Sequence, residues 1–243
     1  MENKVEILGV EIDNLTIQEA LGQIESFLNS GQANLIVTPN PEMIIKANYD
    51  QQLKKILNSA ELALADGVGL LLAAKMLGTE LKERITGVEL VHRLLKLGNQ
   101  TGLRFYFLGS EPGVAAQAKE NLQAQYPKLM IKTHHGYLDR RLEEQVIAEI
   151  KANQIDVLLV GMGVPLQEKW LNKYLTSLQV PVGIGVGGVF DVLAGNKRRA
   201  PVVMQKFGLE WFFRLLQEPS RAGRMVAIPE FVLKVLRQRL KNK

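Results

Sequence analysis

The sequence predicts an α/β fold with a mostly parallel sheet and helices on both of its faces. Three observations predict it. Short apolar runs end in glycine or a polar turn, helical patterns of ten to fifteen residues separate them, and no repeat or Pro/Ser-rich linker interrupts the alternation. LRFYFLG (103–109), DVLLVGMG (156–163) and VPVGIGVGG (180–188) are apolar along both sides, as strands covered on two faces must be. NLIVTPN (34–40) has the same character but closes on a Thr-Pro-Asn turn, and ELALADG (61–67) and MIKTHHG (130–136) read as further strands. The helices between them carry start signals. Thr16–Glu19 and Thr86–Glu89 read as capping boxes, Asp139 as the N-cap of DRRLEEQVIAEIKAN, and Pro165 as a first-turn residue of PLQEKWLNKYLTSL. In a Rossmann-like sheet of this kind, ligands bind beyond the carboxyl ends of the strands. TPNPE, ADG, LGSEPG, HHGYLD, GMGVPLQEK and GVGGVFD all fall at such ends, which predicts one shared cleft.

The chain of 243 residues suits one domain with an appendage, and its 47% hydrophobic and 23% charged residues exclude a disordered or fibrous class. With no cysteine, disulfides, thiolate metal sites, iron–sulfur clusters and a cysteine nucleophile are excluded. Three histidines (His92, His134, His135) poorly support a histidine metal site, since neighbours along a strand point to opposite faces. The start, MENKVEILG, lacks a basic-then-apolar signal, and no run approaches the ~18 apolar residues of a spanning helix. A cytoplasmic location is therefore expected.

Charge divides the chain into an expected catalytic body, 1–195, and a basic helical C-terminal appendage, 196–243. The appendage holds twelve Lys/Arg against three Glu, +9, which leaves −4 for the body out of a total of +5. Such a tail calls for an anionic partner: nucleic acid, lipid headgroups or a phosphorylated substrate. Residues 200–224 read as helical to about Glu218, with a break at Pro219. Beyond it, Ile228, Phe231, Val232, Val235 and Leu236 recur at helical spacing among Lys234, Arg237, Arg239, Lys241 and Lys243. A basic amphipathic helix of this type lies on an anionic membrane surface, and Trp211, Phe212 and Phe213 beside Arg214 suit an interface.

Each chemical motif admits a plain reading beside a functional one. In LGSEPG, backbone N–H groups at Gly109, Ser110 and Gly113 either cradle a phosphate at a helix start or belong to an ordinary tight turn. GVGGVFD is glycine-dense at Gly187 and ends in Asp191, yet neither G-x-G-x-x-G nor a P-loop is present. Asp66 in ADG is either an N-cap or a general base accepting a proton from an attacking hydroxyl. Thr38 and Asn40 are hydrogen-bond donors in a segment that also builds turns. Arg84 either faces a phosphate or meets solvent, and Gln167 sits in the first turn after a strand end, where a solvated surface is the alternative. Tyr137 either stacks on a base or covers a sheet edge. NKRRAP (196–201) is a phosphate clamp, a nuclear-type patch or solvated charge. The six Asp residues are widely spaced, so no D-x-D metal pair exists.

In order, TPNPEM, ADGVGL, RITGVEL, FLGSEPGVA, GMGVPLQEKW, GVGGVFDVLAGNKRRAP and GLEWFFRLLQEPSR span nearly the whole chain. Together they resemble the WecG/TagA/CpsF glycosyltransferases, bacterial enzymes that build surface polymers on a polyprenyl carrier. The resemblance implies inverting, metal-independent and cofactor-free transfer of N-acetylmannosamine from its UDP-sugar to undecaprenyl-diphosphate-GlcNAc, in the wall teichoic acid linkage unit. Relatives using an N-acetylmannosaminuronic acid or glucose donor share most of the pattern. It implies Asp66 as base, with Thr38, Asn40, Arg84 and Gln167 as the polar catalytic set. It associates Tyr137 and Asp191 with the uridine nucleotide, and Arg214, Arg221 and Arg224 with a lid over the diphosphate. The partners expected are a UDP-sugar, a lipid-diphosphate-linked GlcNAc and the inner face of the cell membrane. A homo-oligomer giving way to monomers there is compatible with the apolar tail, and nucleic acid is not expected. The rival class is a non-catalytic nucleotide or nucleic-acid binding module. A hydrolase or oxidoreductase on the same sheet is disfavoured, because no G-x-S-x-G elbow or dinucleotide fingerprint is present.

Overall fold

A computed structural model describes residues 4–201, 203–204, 209–219, 223 and 226–241. Arg221 and Arg224, and the side chain of Arg214, lie outside the described residues.

The chain opens with a hairpin that the sequence reading did not include, β1 (Lys4–Ile7) and β2 (Val10–Asp13). Its turn uses Leu8 and Gly9, both at positive φ (54° and 77°), the handedness that matches strand twist in a two-residue loop. After α1 (Ile17–Leu28) and β3 (Asn34–Val37) come α2 (Pro41–Tyr49), α3 (Gln51–Ser59) and the short β4 (Leu62–Ala63). Next are α4 (Val68–Leu77), α5 (Gly87–Thr101), β5 (Arg104–Gly109), α6 (Val114–Gln125) and β6 (Met130–His134). Then follow α7 (Arg140–Ala152), β7 (Val157–Gly161), α8 (Leu166–Leu178), β8 (Val182–Gly185) and α9 (Val189–Leu193). The appendage adds α10 (Glu210–Gln217) and α11 (Ala227–Lys241).

Six strands form one parallel sheet in the order β4-β3-β8-β7-β5-β6. This is the α/β, Rossmann-like arrangement that the six apolar runs predicted. The core explains the pattern of those runs. Along β5, Phe105 and Phe107 pack with α1, α5, α6 and α9, whereas Tyr106 and Leu108 pack with α2, α3, α7 and α8 on the opposite face. Every second residue feeds a different apolar layer, so no polar face remains.

The helix starts hold with three adjustments. Thr16 and Glu19 complete a reciprocal capping box at α1, and Asp139 caps α7 through Leu142 N at 2.7 Å. At α5, Thr86 accepts from Glu89 N at 3.2 Å, while the Glu89 carboxylate reaches Arg93 at 3.5 Å. Pro165 precedes α8 as its N-cap, one place earlier than the first-turn position, and the Val164–Pro165 peptide is cis. Among the described residues of the 200–218 stretch, 203–204 and Glu210–Gln217 are helical, with a non-helical residue at 209 between them. The final helix is not wholly peripheral. Phe231 and Val235 are buried in the same core layer as α2 and α4, and Gln238 Oε1 accepts from Leu8 N at 2.9 Å. Two of the five residues of the expected membrane stripe therefore serve the core, and Val232 and Leu236 stay exposed beside Leu233 and Leu240.

Candidate active site

The helices after β5 and β7 leave toward opposite faces, α6 with one apolar layer and α8 with the other. The same divergence separates α2 after β3 from α9 after β8. Where neighbouring connections part, a crevice opens at the carboxyl ends of the strands. The crevice here is a cleft of about 620 Å³ whose lining draws on the ends of all six sheet strands. Thr38, Asn40, Asp66, Ser110, Tyr137, Gln167, Gly187 and Asp191 all line it. Eight residues selected from six separate segments thus converge.

Asp66 follows β4 with its backbone N–H bonded to the Pro39 carbonyl at 2.8 Å. The cap of α4 is Gly67, at φ 106°, with no side-chain cap bond, so Asp66 is not an N-cap of the helix it precedes. Its Oδ2 instead accepts from the N–H of Gly87, the first residue of α5, at 3.4 Å. Asn40 does cap its helix: Oδ1 accepts from Met43 N at 2.9 Å, which fixes the amide at the cleft wall. Thr38 is buried beneath it at 7% exposure.

Gln167 is not on a solvated surface. It is 2% exposed, and its Oε1 accepts from Gly163 N at 3.1 Å and from Gly187 N at 3.0 Å. Its Nε2 donates to Glu168 Oε1 at 2.7 Å. One side chain therefore ties the loop after β7 to the loop after β8. Glu168, absent from the sequence-based set, is 1% exposed, and its Oε2 has no hydrogen-bond partner among the described residues. Burial pushes its carboxyl up to about 7, against the smaller opposing effects of the Gln167 amide and Lys46. Sequence offered little signal for it, because a Glu at the third position of a helix reads as a first-turn dipole partner.

Ser110 N–H is not free for a phosphate; it donates to the Gly161 carbonyl at 2.9 Å. The residue sits at φ 57°, and its hydroxyl donates to Asp191 Oδ2 at 3.3 Å. Gly109 does not line the cleft. Its role is close approach: a Cβ there would stand 2.5 Å from the Gly161 backbone. Tyr137 lines the cleft and is 65% exposed. The two histidine rings lie 4.3 Å apart, not on opposite faces, because His135 follows the last residue of β6 and strand alternation ends there.

Two cationic residues join the site to the appendage. Lys197, from NKRRAP, lines the cleft with Nζ 3.4 Å from Asp191 Oδ1 and 2.5 Å from Glu218 Oε1. Arg84 does not line the cleft; its Nη1 pairs with Glu210 Oε2 of α10 at 3.6 Å. Between α5, α9 and α10 lies a second chamber of about 70 Å³, in which Asp66, Lys197 and Arg199 meet Glu210 and Glu218. Asp66 and Lys197 border both spaces. Among the described residues, no group of three or more His, Asp or Glu is arranged to hold a metal ion, and no helix is long and apolar enough to cross a membrane.

Comparison with known proteins bears on this site. The model of the glycosyl transferase WecG/TagA/CpsF family matches residues 5–243. Relatives from Staphylococcus aureus strains MW2 and NCTC 8325 / PS 47 are each 36% identical over 242 residues, covering 99% of this chain and 95% of the relative. Both are named N-acetylglucosaminyldiphosphoundecaprenol N-acetyl-beta-D-mannosaminyltransferase.

Proposed function

Because the chain belongs to the WecG/TagA/CpsF glycosyltransferase family, we propose that it carries the activity its staphylococcal relatives are named for. In that reading it moves N-acetylmannosamine from UDP-N-acetylmannosamine to undecaprenyl-diphosphate-linked N-acetylglucosamine, with a β-1,4 bond as product. The observation that carries it is the position of Asp66, half-buried on the boundary between the large cleft and the chamber under α10. A base for glycosyl transfer needs that place, with donor on one side and acceptor on the other.

The chemistry is one displacement. The acceptor hydroxyl oxygen bonds to the anomeric carbon as its bond to the UDP oxygen breaks and UDP leaves with the electron pair. Inversion converts an α-linked donor into a β-linked product. The hydroxyl proton passes to the Asp66 carboxylate. Charge that gathers on the leaving diphosphate calls for fixed donors. Arg214, Arg221 and Arg224 of the appendage are assigned to it. Ser110, Tyr137 and Asp191 are assigned to the nucleotide, with the Gln167 clamp setting the spacing of the two glycine loops around it.

The unit 196–243 is read as the membrane-facing lid on the body 1–195. Trp211, Phe212, Leu216, Leu233 and Leu240 are exposed, and Arg237, Arg239 and Lys241 lie among them on α11. Aromatic and aliphatic side chains interleaved with cations suit an anionic bilayer surface, where the lipid acceptor resides. Self-association through this apolar surface, released at the membrane, belongs to the same reading. A mass-detected assay with a panel of UDP-sugars and a lipid-diphosphate-GlcNAc acceptor tests it. Transfer from UDP-N-acetylmannosamine is expected, and transfer from another UDP-sugar alone would reassign the donor.

A further inference from the structure

NKRRAP is the one motif of the sequence that the transfer chemistry above leaves mostly unused, and it walls the small chamber. Arg199 Nη2 donates to Thr86 Oγ1 at 3.5 Å, while its Nε is buried with no hydrogen-bond partner among the described residues. Lys197 is paired with Glu218, and Arg84 with Glu210. Gln217 fastens the same helix by exchanging two hydrogen bonds with the Arg198 backbone, at 3.1 and 2.9 Å. Glu210, at the start of α10, and Glu218, the residue just past its end, thus sit among Arg84, Lys197 and Arg199 beside Asp66.

We propose that this chamber seats the diphosphate of the acceptor, and that Glu210 and Glu218 are internal counter-anions which that diphosphate displaces. The inference rests on the transferase reading. A diphosphate offers several acceptor oxygens and enough negative charge to satisfy Lys197, Arg199 and Arg84 together, which two monovalent carboxylates leave incomplete at Arg199 Nε. The chamber at about 70 Å³ holds a few waters, at ~10–15 Å³ of such volume each, and is too small for a diphosphate while α10 is docked. Binding therefore requires α10 to shift. The exchange couples acceptor arrival to opening of the lid. The acceptor, not the donor, is the source that the layout favours. Ser110 and Tyr137 line the large cleft and not the chamber, so a donor beside them leaves the chamber on the opposite flank of Asp66. In-line attack sets the acceptor oxygen opposite the leaving UDP oxygen across the anomeric carbon, so the acceptor approaches from the side away from the nucleotide. The exposed Trp211, Phe212 and Leu216 of α10 also place an apolar surface on the helix that must move, next to where a polyprenyl chain would emerge.

Calorimetry with methylenediphosphonate on the UDP-saturated full-length protein reads the chamber without turnover. A second equivalent bound by the wild type and weakened about ten-fold or more in Arg199→Gln is expected, the loss of a charge-assisted contact. Glu218→Gln is expected to tighten it, and Arg199→Lys to recover part of the loss. In turnover, Arg199→Gln should raise the KM for the lipid acceptor with the UDP affinity within about two-fold of wild type. Failure of UDP-saturated protein to bind a second equivalent would overturn the chamber, as would weakened UDP binding with unchanged acceptor KM, which assigns these cations to the donor. Wild type that binds the second equivalent but transfers no sugar would instead overturn the transferase reading. Circular dichroism of the Arg199→Lys and Glu218→Gln variants shows whether they fold when Arg199→Gln does not.

Discussion

Gln167 Oε1 accepts a hydrogen bond from Gly187 N at 3.0 Å, across twenty residues of chain and two adjacent strands. The same oxygen holds Gly163 N, so a single acceptor sets the distance between the loops after β7 and β8. Gln167→Ala would leave two partly buried N–H groups without this acceptor and Glu168 without its donor. A stability loss of about 3 kcal/mol in denaturant unfolding is expected, with a raised KM for the UDP-sugar as the loops relax. An unchanged donor KM would confine Gln167 to the fold.

Asp66→Asn keeps the shape of the side chain and removes the proton acceptor. Transfer should fall by ~10²–10⁴ while UDP affinity, read by calorimetry, stays within about two-fold. Turnover close to wild type would end the role of Asp66 as base.

Glu168 supplies a pH-dependent test of the buried pair. Its folded value of about 7 lies above the ordinary 4.5, so the fold favours the protonated carboxyl. The sign follows from linkage. This contribution is fully present below about 4.5 and is lost as pH rises through about 7, amounting to ~3 kcal/mol across the window. Glu168→Gln removes the titration, so its Tm relative to wild type should rise between pH 5 and pH 8. Parallel Tm curves for the two proteins would show that the carboxyl does not titrate in this range.

Phe231 and Val235 make α11 part of the body's core through α2 and α4. Phe231→Ala should cost about 4 kcal/mol, the range of a fully buried aromatic truncation. A chain ending at Gly195 loses the same contacts. Its Tm is therefore expected to fall along with its activity, and liposome sedimentation should be compared with that of point variants at exposed Leu233 and Leu240. A truncated chain with wild-type Tm would show that α11 adds nothing to the core.

Much of the sheet was legible because five of its six strands, all but the edge strand β6, are buried on both faces. That condition writes itself into the sequence as apolar runs, and all six strands appear where LRFYFLG, DVLLVGMG and their companions predicted them. The opening hairpin was not legible. Its turn is Leu8–Gly9, without the Asn or Asp that marks a two-residue loop, and Leu8 is held at φ 54° among contacts from Gln238, Lys54 and Asn48.

The site divides along the same line. That polar residues at six strand ends share one cleft followed from alternation alone, because parallel strands joined by helices present all their carboxyl ends on one side. Which groups meet within the cleft did not follow. The Ser110 amide was spent on Gly161, Gln167 turned inward to clamp two loops, Glu168 was carried into the interior, and Lys197 was set between Asp191 and Glu218. These pairings depend on the spatial order β4-β3-β8-β7-β5-β6 and on where α10 docks. Local pattern reports how each segment meets water or core. Only the assembled tertiary structure decides which distant charges and amides are left to satisfy one another, since burial forces a partner on each without specifying it in advance.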